Sequence, residues 1–381
     1  MQMSEQETTA DVAIIGGGVI GLAIARALGL RGVRDVLIVE RSSLGAEASS
    51  AAAGMLAPQA EADSADDFFQ LCCQSRDLYP AFAQSLNEET GIDIELETSG
   101  TLYLAFTEED ERELEKRYEW QTRAGLEVEK LSGDMAKLLE PSISNGVRAA
   151  LRFPLDTQVE NRRLISALAT ANEALGVNVL TGVSVDSLNI KQHRVTGIET
   201  SRGFVACEKV VIACGAWTSQ VINEALPNPR IEPVRGQMVS FEATPQIARH
   251  VIYSPRGYVV PRRQGRLLAG STTEHAGFDK RVTAAGVQSI VNSALEITPA
   301  IAALPLTSTW AGLRPRAADG LPVLGPCAEI AGVFYATGHY RNGILLTPVT
   351  AELLARAIVD EEVSPPLQIF SPDRFQLVDV R

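Results

Sequence analysis

The sequence predicts a mixed fold, α/β in one domain and α+β in a second domain that is interleaved with the first. One observation is a glycine-rich turn, Gly16-Gly17-Gly18-Val19-Ile20-Gly21, between an apolar run and an amphipathic segment. Another is the length of 381 residues, which exceeds that of most single domains, and 45% of these residues are hydrophobic. Because no linker or internal repeat divides the chain, we expect the second domain to be inserted between pieces of the first.

The glycine-rich turn has the order of elements found in a dinucleotide-binding βαβ unit. Gly16 permits the tight turn from strand to helix, Gly18 lets the backbone approach a pyrophosphate, and Gly21 lets the helix lie close to its strand. A second apolar run ends in Glu40, about 20 positions after Gly21, where a carboxylate accepts from ribose hydroxyls. These residues predict a Rossmann-like domain, and the motif alone does not choose between NAD and FAD.

Composition excludes several classes of partner. The formal net charge of −13 leaves no basic face for nucleic acid. The apolar stretch at residues 12–25 follows acidic residues and is short and glycine-rich, so it predicts neither a signal peptide nor a membrane span. The cysteines show no CxxC spacing, which predicts buried thiols in a reducing cytoplasm, with no disulfide and no metal site. These cysteines are Cys72, Cys73, Cys207, Cys214 and Cys327.

Hydrophobic periodicity predicts two excursions from the first domain. The first has a helix at residues 65–89, strand-like runs at 92–97 and 101–106, and a charged helix at 108–124. The chain returns with a helix at 162–175 and strands of a parallel sheet at 177–180 and 209–215. The second excursion has strands at 237–241, 258–261 and 267–271 and a helix at 284–297.

The last stretch repeats the arrangement of the opening turn. A strand at 333–336 leads through a glycine-rich turn into a helix from about residue 344 to 359, whose N-terminus would point its amides at a cofactor. We therefore assign residues 10–60, 155–230 and 310–372 to the cofactor-binding domain. Residues 61–154 and 231–309 form the predicted substrate domain, built on an antiparallel sheet.

Five segments together carry a family resemblance that runs from Val12 to about Ile369. They are the opening turn, Ser49-Ser50-Ala51-Ala52-Ala53-Gly54-Met55-Leu56, Val211-Ile212-Ala213-Cys214-Gly215-Ala216-Trp217, Trp310-Ala311-Gly312-Leu313-Arg314-Pro315 with Asp319-Gly320-Leu321-Pro322, and Gly338-His339-Tyr340-Arg341-Asn342-Gly343-Ile344-Leu345. The sequence resembles the FAD-dependent D-amino acid oxidase family, and within it the glycine oxidases of thiazole (thiamine) biosynthesis. The resemblance implies a GR2-type, D-amino acid oxidase-like FAD-binding domain.

The resemblance also implies that the bound dinucleotide is FAD, held noncovalently, and it implies which residues contact this cofactor. Cys327 is no covalent anchor, because its surroundings do not resemble the attachment segment of sarcosine oxidases. The predicted contacts include three glycines of the opening turn. The full set is Gly16, Gly18, Ile20, Gly21, Glu40, Arg41, Ala48, Ser49, Ala53, Gly54, Met55, Val183, His339, Tyr340, Arg341, Asn342, Gly343, Ile344 and Leu345.

Three residues match the family's substrate site. Arg314 matches the carboxylate-binding arginine, whose guanidinium offers two parallel N–H groups to one carboxylate. Tyr258 matches a tyrosine over the substrate, and Arg341 matches a second arginine that acts as a gate or carboxylate partner. Thr273 departs from the family's methionine, so the resemblance leaves open the ranking of glycine, sarcosine and D-alanine.

The implied function is oxidative deamination of glycine, and also of sarcosine and small D-amino acids, by hydride transfer to FAD with molecular oxygen as the final acceptor. The implied products are glyoxylate, ammonia and hydrogen peroxide, and the glycine imine would supply thiazole formation in thiamine biosynthesis. The resemblance also implies a cytoplasmic homotetramer. Two alternatives stay open: a D-amino acid or sarcosine oxidase or dehydrogenase of the same fold, and a flavin-bound protein without turnover. Of the four histidines only His339 is expected near the flavin, and His193, His250 and His275 are expected at the surface.

Overall fold

Two eight-stranded sheets organise the chain, and the computed structural model describes residues 8–375. The strands are β1 (Thr8–Ile15), β2 (Val36–Glu40), β3 (Met55–Leu56), β4 (Thr101–Ala105), β5 (Glu129–Ser132), β6 (Ala149–Phe153), β7 (Thr157–Gln158), β8 (Asn178–Thr181), β9 (Val185–Lys191), β10 (Arg194–Thr200), β11 (Gly203–Ile212), β12 (Glu232–Glu242), β13 (Val251–Ser254), β14 (Gly257–Pro261), β15 (Arg266–Gly270), β16 (Leu306–Arg316), β17 (Val323–Pro326) and β18 (Val333–Thr337).

Helices cover the sheets and connect them. They are α1 (Val19–Leu30), α2 (Ala48–Ala51), α3 (Pro58–Glu61), α4 (Asp67–Thr90), α5 (Glu108–Arg123), α6 (Gly133–Leu139), α7 (Asn161–Ala174), α8 (Thr218–Val221), α9 (Ala284–Ile297), α10 (Thr347–Val359) and α11 (Pro365–Ile369). Within residues 8–375, no helix has both the length and the apolar character needed to cross a bilayer.

The first sheet has the order β17-β18-β11-β1-β2-β8. Its central pairs are parallel, which confirms the parallel sheet predicted from the runs at 177–180 and 209–215, and the strand predicted at 333–336 is β18. Helices α1, α7 and α10 bury their apolar faces against one side of it, and α4 adds Leu71, Tyr79 and Leu86 to the same core. The hairpin β9–β10 extends this sheet and helps to bury its other side.

The second sheet has the order β16-β12-β15-β14-β13-β4-β6-β5. All its pairs are antiparallel except β13–β4, which is parallel. The strands predicted at 237–241, 258–261 and 267–271 are confirmed as parts of β12, β14 and β15, and the helix predicted at 284–297 is α9. Helix α9 packs on this sheet through Ile290, Ala294 and Ile297.

The strand predicted at 92–97 is wrong. Only Glu97 makes a single bridge there, with Gln158, and Glu95 has a φ of +55°, which an extended strand does not allow. The apolar alternation reflects packing, since Ile92 and Ile94 contact the core of the first sheet. Several further strands were not predicted, among them β16 and the hairpin β9–β10, and also β5, β6, β13 and β17.

Helix α10 begins three residues later than predicted. It starts at Thr347, with Pro348 in its first turn, where the missing N–H of proline costs least. Residues 339–346 instead form an irregular turn between β18 and α10.

Sheet membership modifies the proposed domain boundaries. Strand β16 lies wholly in the second sheet, paired with β12, and α4 packs on the core of the first sheet. We therefore propose to move the boundary at residue 310 to just after Arg316, and to assign α4 to the cofactor-binding domain.

A buried contact between a histidine and a carboxylate corrects one histidine prediction. His193 and His275 are exposed as expected, but His250 is buried. Its Nδ1 lies 2.9 Å from Oε2 of Glu140, and the same oxygen accepts the backbone N–H of Arg249 at 2.8 Å. Burial alone raises the pKa of Glu140, but hydrogen bonds from His250 and the two backbone amides outweigh it and hold that pKa below its usual value. The pair fixes the start of β13.

We expect Glu140→Gln to lower the free energy of unfolding by about 1–3 kcal/mol, because it weakens the bonds to a buried histidine and two amides. A carboxylate with a depressed pKa stabilises the fold above its unfolded pKa and stops doing so as the pH falls through its folded pKa. The difference in unfolding free energy between wild type and variant should therefore narrow as the pH falls below about 5. Urea unfolding from pH 5 downward tests it, with exposed Glu242→Gln as control; a difference that widens over this range would contradict the prediction.

Candidate active site

An elongated cavity runs along the carboxyl ends of the parallel strands and continues to the second sheet. Ile15, Glu40, Ala213 and Thr337 line it where β1, β2, β11 and β18 end, and Arg314 lines it from the second sheet. The carboxyl edge of a parallel sheet is where ligands bind in open α/β folds. The cavity therefore joins a dinucleotide-type edge to a cationic pocket.

The glycine-rich turn forms one end of this cavity by a close approach of backbones. Gly16 has a φ of +112°, and a Cβ there would collide with the carbonyl of Ala213. A Cβ on Gly21 would collide with the carbonyl of Gly16. Both positions thus exclude a side chain, which brings the N-terminus of α1 to the end of β1.

The N-terminus of α1 provides the donors that a pyrophosphate needs. The Val19 amide donates to Ser49 Oγ at 3.1 Å. The next amides, of Ile20 and Gly21, belong to the first helical turn and have no intrahelical acceptor. Together with the helix dipole they favour an anion at this end.

Glu40 is held at the second strand end with its carboxylate towards the cavity. Oε2 accepts the Gly17 amide and Oε1 accepts the Ser42 amide, both at 2.8 Å. The remaining lone pairs suit ribose hydroxyls. Next to it, the Arg41 guanidinium stacks on the ring of Trp217 at 3.6 Å, and both residues line the cavity with Val183. Trp217 was quoted in the family resemblance but was not predicted as a cofactor contact.

The irregular turn at 339–346 presents free amides at the other part of the cavity. Ser75 Oγ donates to the carbonyl of Leu345 at 2.6 Å, and the Tyr79 hydroxyl donates to the carbonyl of Ile344. Among residues 8–375, no acceptor bonds the amides of Gly343, Ile344 and Leu345. Side chains of helix α4 thus bind the carbonyls of the turn, and the amides of the turn stay available to a ligand. No sequence pattern around Ser75 or Tyr79 indicated this role.

His339 lies beneath this turn as a neutral group. It is buried, and its Nε2 lies 3.1 Å from Thr350 Oγ1. Burial lowers the pKa of His339 to about 3. It therefore carries no charge near neutral pH.

Arg314 lies across strand β12 because residue 236 is glycine. A Cβ on Gly236 would collide with the guanidinium. The Arg314 Nη1 donates to the Thr272 carbonyl at 3.1 Å and Nη2 donates to Ser271 Oγ at 2.7 Å. These neutral acceptors orient the guanidinium, and within the described part of the chain no carboxylate pairs with it. Gly236 was missed because an isolated strand glycine carries no motif.

Arg341 has the same charge but a different environment. Its Nη2 donates to Glu61 Oε1 at 3.1 Å and to the Tyr253 hydroxyl at 3.0 Å. The Glu61 carboxylate raises the pKa of Arg341 above its ordinary value. The charge of Arg341 is therefore compensated by the protein, whereas that of Arg314 is available to an anion.

Tyr258 faces the same pocket from β14. Its hydroxyl donates to Met238 Sδ at 3.3 Å, and its ring stacks on Tyr253 with centroids 6.0 Å apart. A Cβ on Gly270 would lie 2.9 Å from the hydroxyl oxygen. The tyrosine is thus packed tightly, and it lines the cavity.

Most of the predicted site residues meet at this one cavity. Gly21 and Leu345 are not in its lining. Thr273 is exposed and also lies outside the lining, and Ser271 lines the pocket there instead. The lining residues among those predicted are Gly16, Gly18, Ile20, Glu40, Arg41, Ala48, Ser49, Ala53, Gly54, Met55, Val183, Tyr258, Arg314, His339, Tyr340, Arg341, Asn342, Gly343 and Ile344.

Comparison with known proteins agrees with this geometry. The family of FAD dependent oxidoreductases matches residues 11–357. The glycine oxidase of Geobacillus kaustophilus is 38% identical over 96% of this chain and 97% of its own length. The bifunctional protein ThiO/ThiG of Trichormus variabilis is 36% identical over 97% of this chain, which spans only 55% of that longer relative.

The solved structures give the same result. The crystal structure of the Geobacillus kaustophilus glycine oxidase superposes with a TM-score of 0.91, at 37% identity, over 96% of this chain and 99% of that one. The glycine oxidase of Bacillus cereus superposes with a TM-score of 0.87 at 36% identity, over 93% of this chain and 96% of that one. The helix N-terminus, the carboxylate of Glu40 and the free amides of the 339–346 turn fit the groups of FAD, and the chain belongs to the family of FAD-dependent oxidoreductases.

Proposed function

We propose that the protein is an FAD-dependent glycine oxidase that converts glycine to glyoxylate, ammonia and hydrogen peroxide. The observation that carries the proposal is the cavity that joins a cofactor-binding sheet edge to the uncompensated guanidinium of Arg314. The similarity to glycine oxidases and to ThiO/ThiG proteins supports it. By the same similarity, the glycine imine would supply thiazole formation in thiamine biosynthesis.

The chain's own groups would bind and orient the substrate. Arg314 would bind the carboxylate through its free N–H groups, as guanidinium groups bind carboxylates in a fork. The Tyr258 hydroxyl would close the pocket beside it. Bound FAD supplies the acceptor for a hydride from the Cα–H. The amides of Gly343 and Ile344, which line the cavity, would stabilise negative charge at the flavin's pyrimidine side.

No histidine base is available in this arrangement. Burial lowers the pKa of His339 to about 3, so its imidazole is a weak base, and its Nε2 lies 3.1 Å from Thr350 Oγ1. The reaction therefore suits a substrate whose amine arrives uncharged, with its lone pair forming the C=N bond as the hydride leaves. Molecular oxygen then takes the two electrons to give hydrogen peroxide, and water hydrolyses the imine.

Charge compensation at Arg341 favours small substrates with a single carboxylate. Because Glu61 neutralises that arginine, Arg314 is the cation left for an anion. Glycine, sarcosine and D-alanine all meet this condition. We further propose a cytoplasmic homotetramer, on the strength of the family resemblance alone.

We expect glycine, added without oxygen to the purified yellow protein, to bleach the flavin band, and air to restore it with release of hydrogen peroxide. Stopped-flow absorbance and a peroxide assay measure both steps, with sarcosine and D-alanine alongside. Bleaching by sarcosine or D-alanine but not by glycine would indicate a different substrate for an enzyme of the same fold. Reduction by glycine without peroxide in air would indicate a dehydrogenase, and no bleaching by any of them would exclude amino acid oxidation.

Arg314→Lys should raise KM for glycine by about 10- to 100-fold, with a smaller effect on kcat, because lysine keeps the charge and loses the fork. Steady-state peroxide production measures it. Arg316→Lys, on the same strand but with its guanidinium 4.0 Å from Glu232, is the matched control. Equal KM values for the two variants would remove Arg314 from the substrate site.

FAD should be held noncovalently. Cys327 is buried and does not line the cavity. Cys214 does line it, and its thiol donates to the Ile15 carbonyl at 3.4 Å. Acid precipitation should leave the yellow colour in the supernatant. Colour in the pellet would contradict this expectation.

A further inference from the structure

Arg262 is a buried arginine in the turn that joins β14 to β15. Its side chain and backbone are 4% exposed. Its amide donates to the Arg266 carbonyl at 2.8 Å, and its own carbonyl accepts the Gly265 amide at 3.1 Å. The hairpin of β14 and β15, which carries Tyr258, therefore fixes the backbone position of Arg262.

The guanidinium of Arg262 reaches out of its own hairpin to the segment that lines the cofactor cavity. Nη2 donates to the carbonyl of Ala53. Nη1 donates to the carbonyl of Val159 at 2.8 Å and to Gln158 Oε1 at 3.1 Å. Ala53 itself lines the cavity, so the arginine holds that segment from behind.

The backbone at Gly54 is shaped for this contact. Gly54 has a φ of +70°, and a Cβ there would lie 2.9 Å from Arg262 Nη2 and would collide with the Val159 carbonyl. The Gly54 carbonyl accepts the Val159 amide at 2.9 Å. The arginine and the glycine thus form one packing unit between the two sheets.

A buried cation needs compensation, and here the acceptors are of two kinds. The Glu160 carboxylate lies 3.5 Å from Arg262 Nε and supplies the opposite charge. Burial lowers the pKa of Arg262 only to about 10, so the group is cationic at neutral pH. Burying an ion pair does not by itself stabilise a fold, and the other donors are directed at the carbonyls of the cavity segment.

We propose that Arg262 is a positioning residue that sets the Ala53–Gly54 backbone against the strand of Tyr258 and thereby controls FAD affinity and the environment of the flavin. It acts through the carbonyl of Ala53 and touches neither substrate nor cofactor. The proposal rests on the cofactor site proposed above. It does not require that glycine is the substrate.

The chain offers a matched control in the next residue. Arg263 belongs to the same turn, but its guanidinium is half exposed and pairs with Asp93 and Glu97 at the surface. Glu140→Gln provides a second control, because it disturbs the buried hydrogen bond between Glu140 and His250, which lies outside the cavity lining. The two controls separate the effect of losing an arginine from that of losing stability.

The test measures FAD binding to Arg262→Met, Arg262→Lys, Arg263→Met and Glu140→Gln by fluorescence titration of the apoprotein. We expect the FAD Kd to rise by at least about 30-fold in Arg262→Met and by about 5- to 10-fold in Arg262→Lys, which keeps the charge. Both should change the fine structure of the bound flavin's visible spectrum. Arg263→Met and Glu140→Gln should stay within about twofold of wild type.

A Kd for Arg262→Met no higher than that of Glu140→Gln would overturn the proposal. Should Arg262→Met not fold, Arg262→Lys decides alone: wild-type affinity and spectrum refute the role, and weaker binding with an altered spectrum supports it. The titration needs no amino acid. A wild-type protein that binds FAD but ignores glycine would refute glycine oxidation and leave the role of Arg262 intact.

Discussion

The close approach of α1 to the end of β1 is the constraint on which the cavity depends. Gly16 and Gly21 leave no room for a Cβ between this helix, its strand and the neighbouring β11. A side chain at either position would push the helix N-terminus off the sheet edge, and its unpaired amides and positive dipole end would no longer face a ligand. The parallel order of β18, β11, β1 and β2 then places the remaining strand ends around the same point.

The cavity walls are held from behind through backbone groups. Ser75 and Tyr79 bond the carbonyls of the 339–346 turn. Asp156 accepts the amides of Gln59 and Ala60, next to Glu61. Burial raises the pKa of Asp156 to about 7 despite these bonds. Because an unpaired buried polar group costs about 1–3 kcal/mol, such contacts fix one loop conformation and leave the cavity-facing groups free.

Charge compensation gives the two pocket arginines different roles. Arg314 bonds to a carbonyl and a hydroxyl, which orient it without neutralising it. Arg341 is paired with Glu61 and Tyr253. A second uncompensated cation would attract dianions into the pocket. The protein supplies its own anion for Arg341, and this leaves one binding position for one carboxylate.

The sequence by itself determined the parallel sheet, the glycine-rich turn with Glu40 and, through the family resemblance, the groups that line the cavity. These signals are local, since they depend on periodicity and on glycines that only one backbone geometry requires. Only the tertiary structure decided the rest. The run at 92–97 packs as a loop, His250 is buried by Glu140, Thr273 lies outside the pocket, and Gly236 makes room for Arg314. The physical reason is that the burial of a side chain and its hydrogen-bond partners depend on segments that lie far apart in the chain. No local sequence pattern predicts which of these segments come into contact.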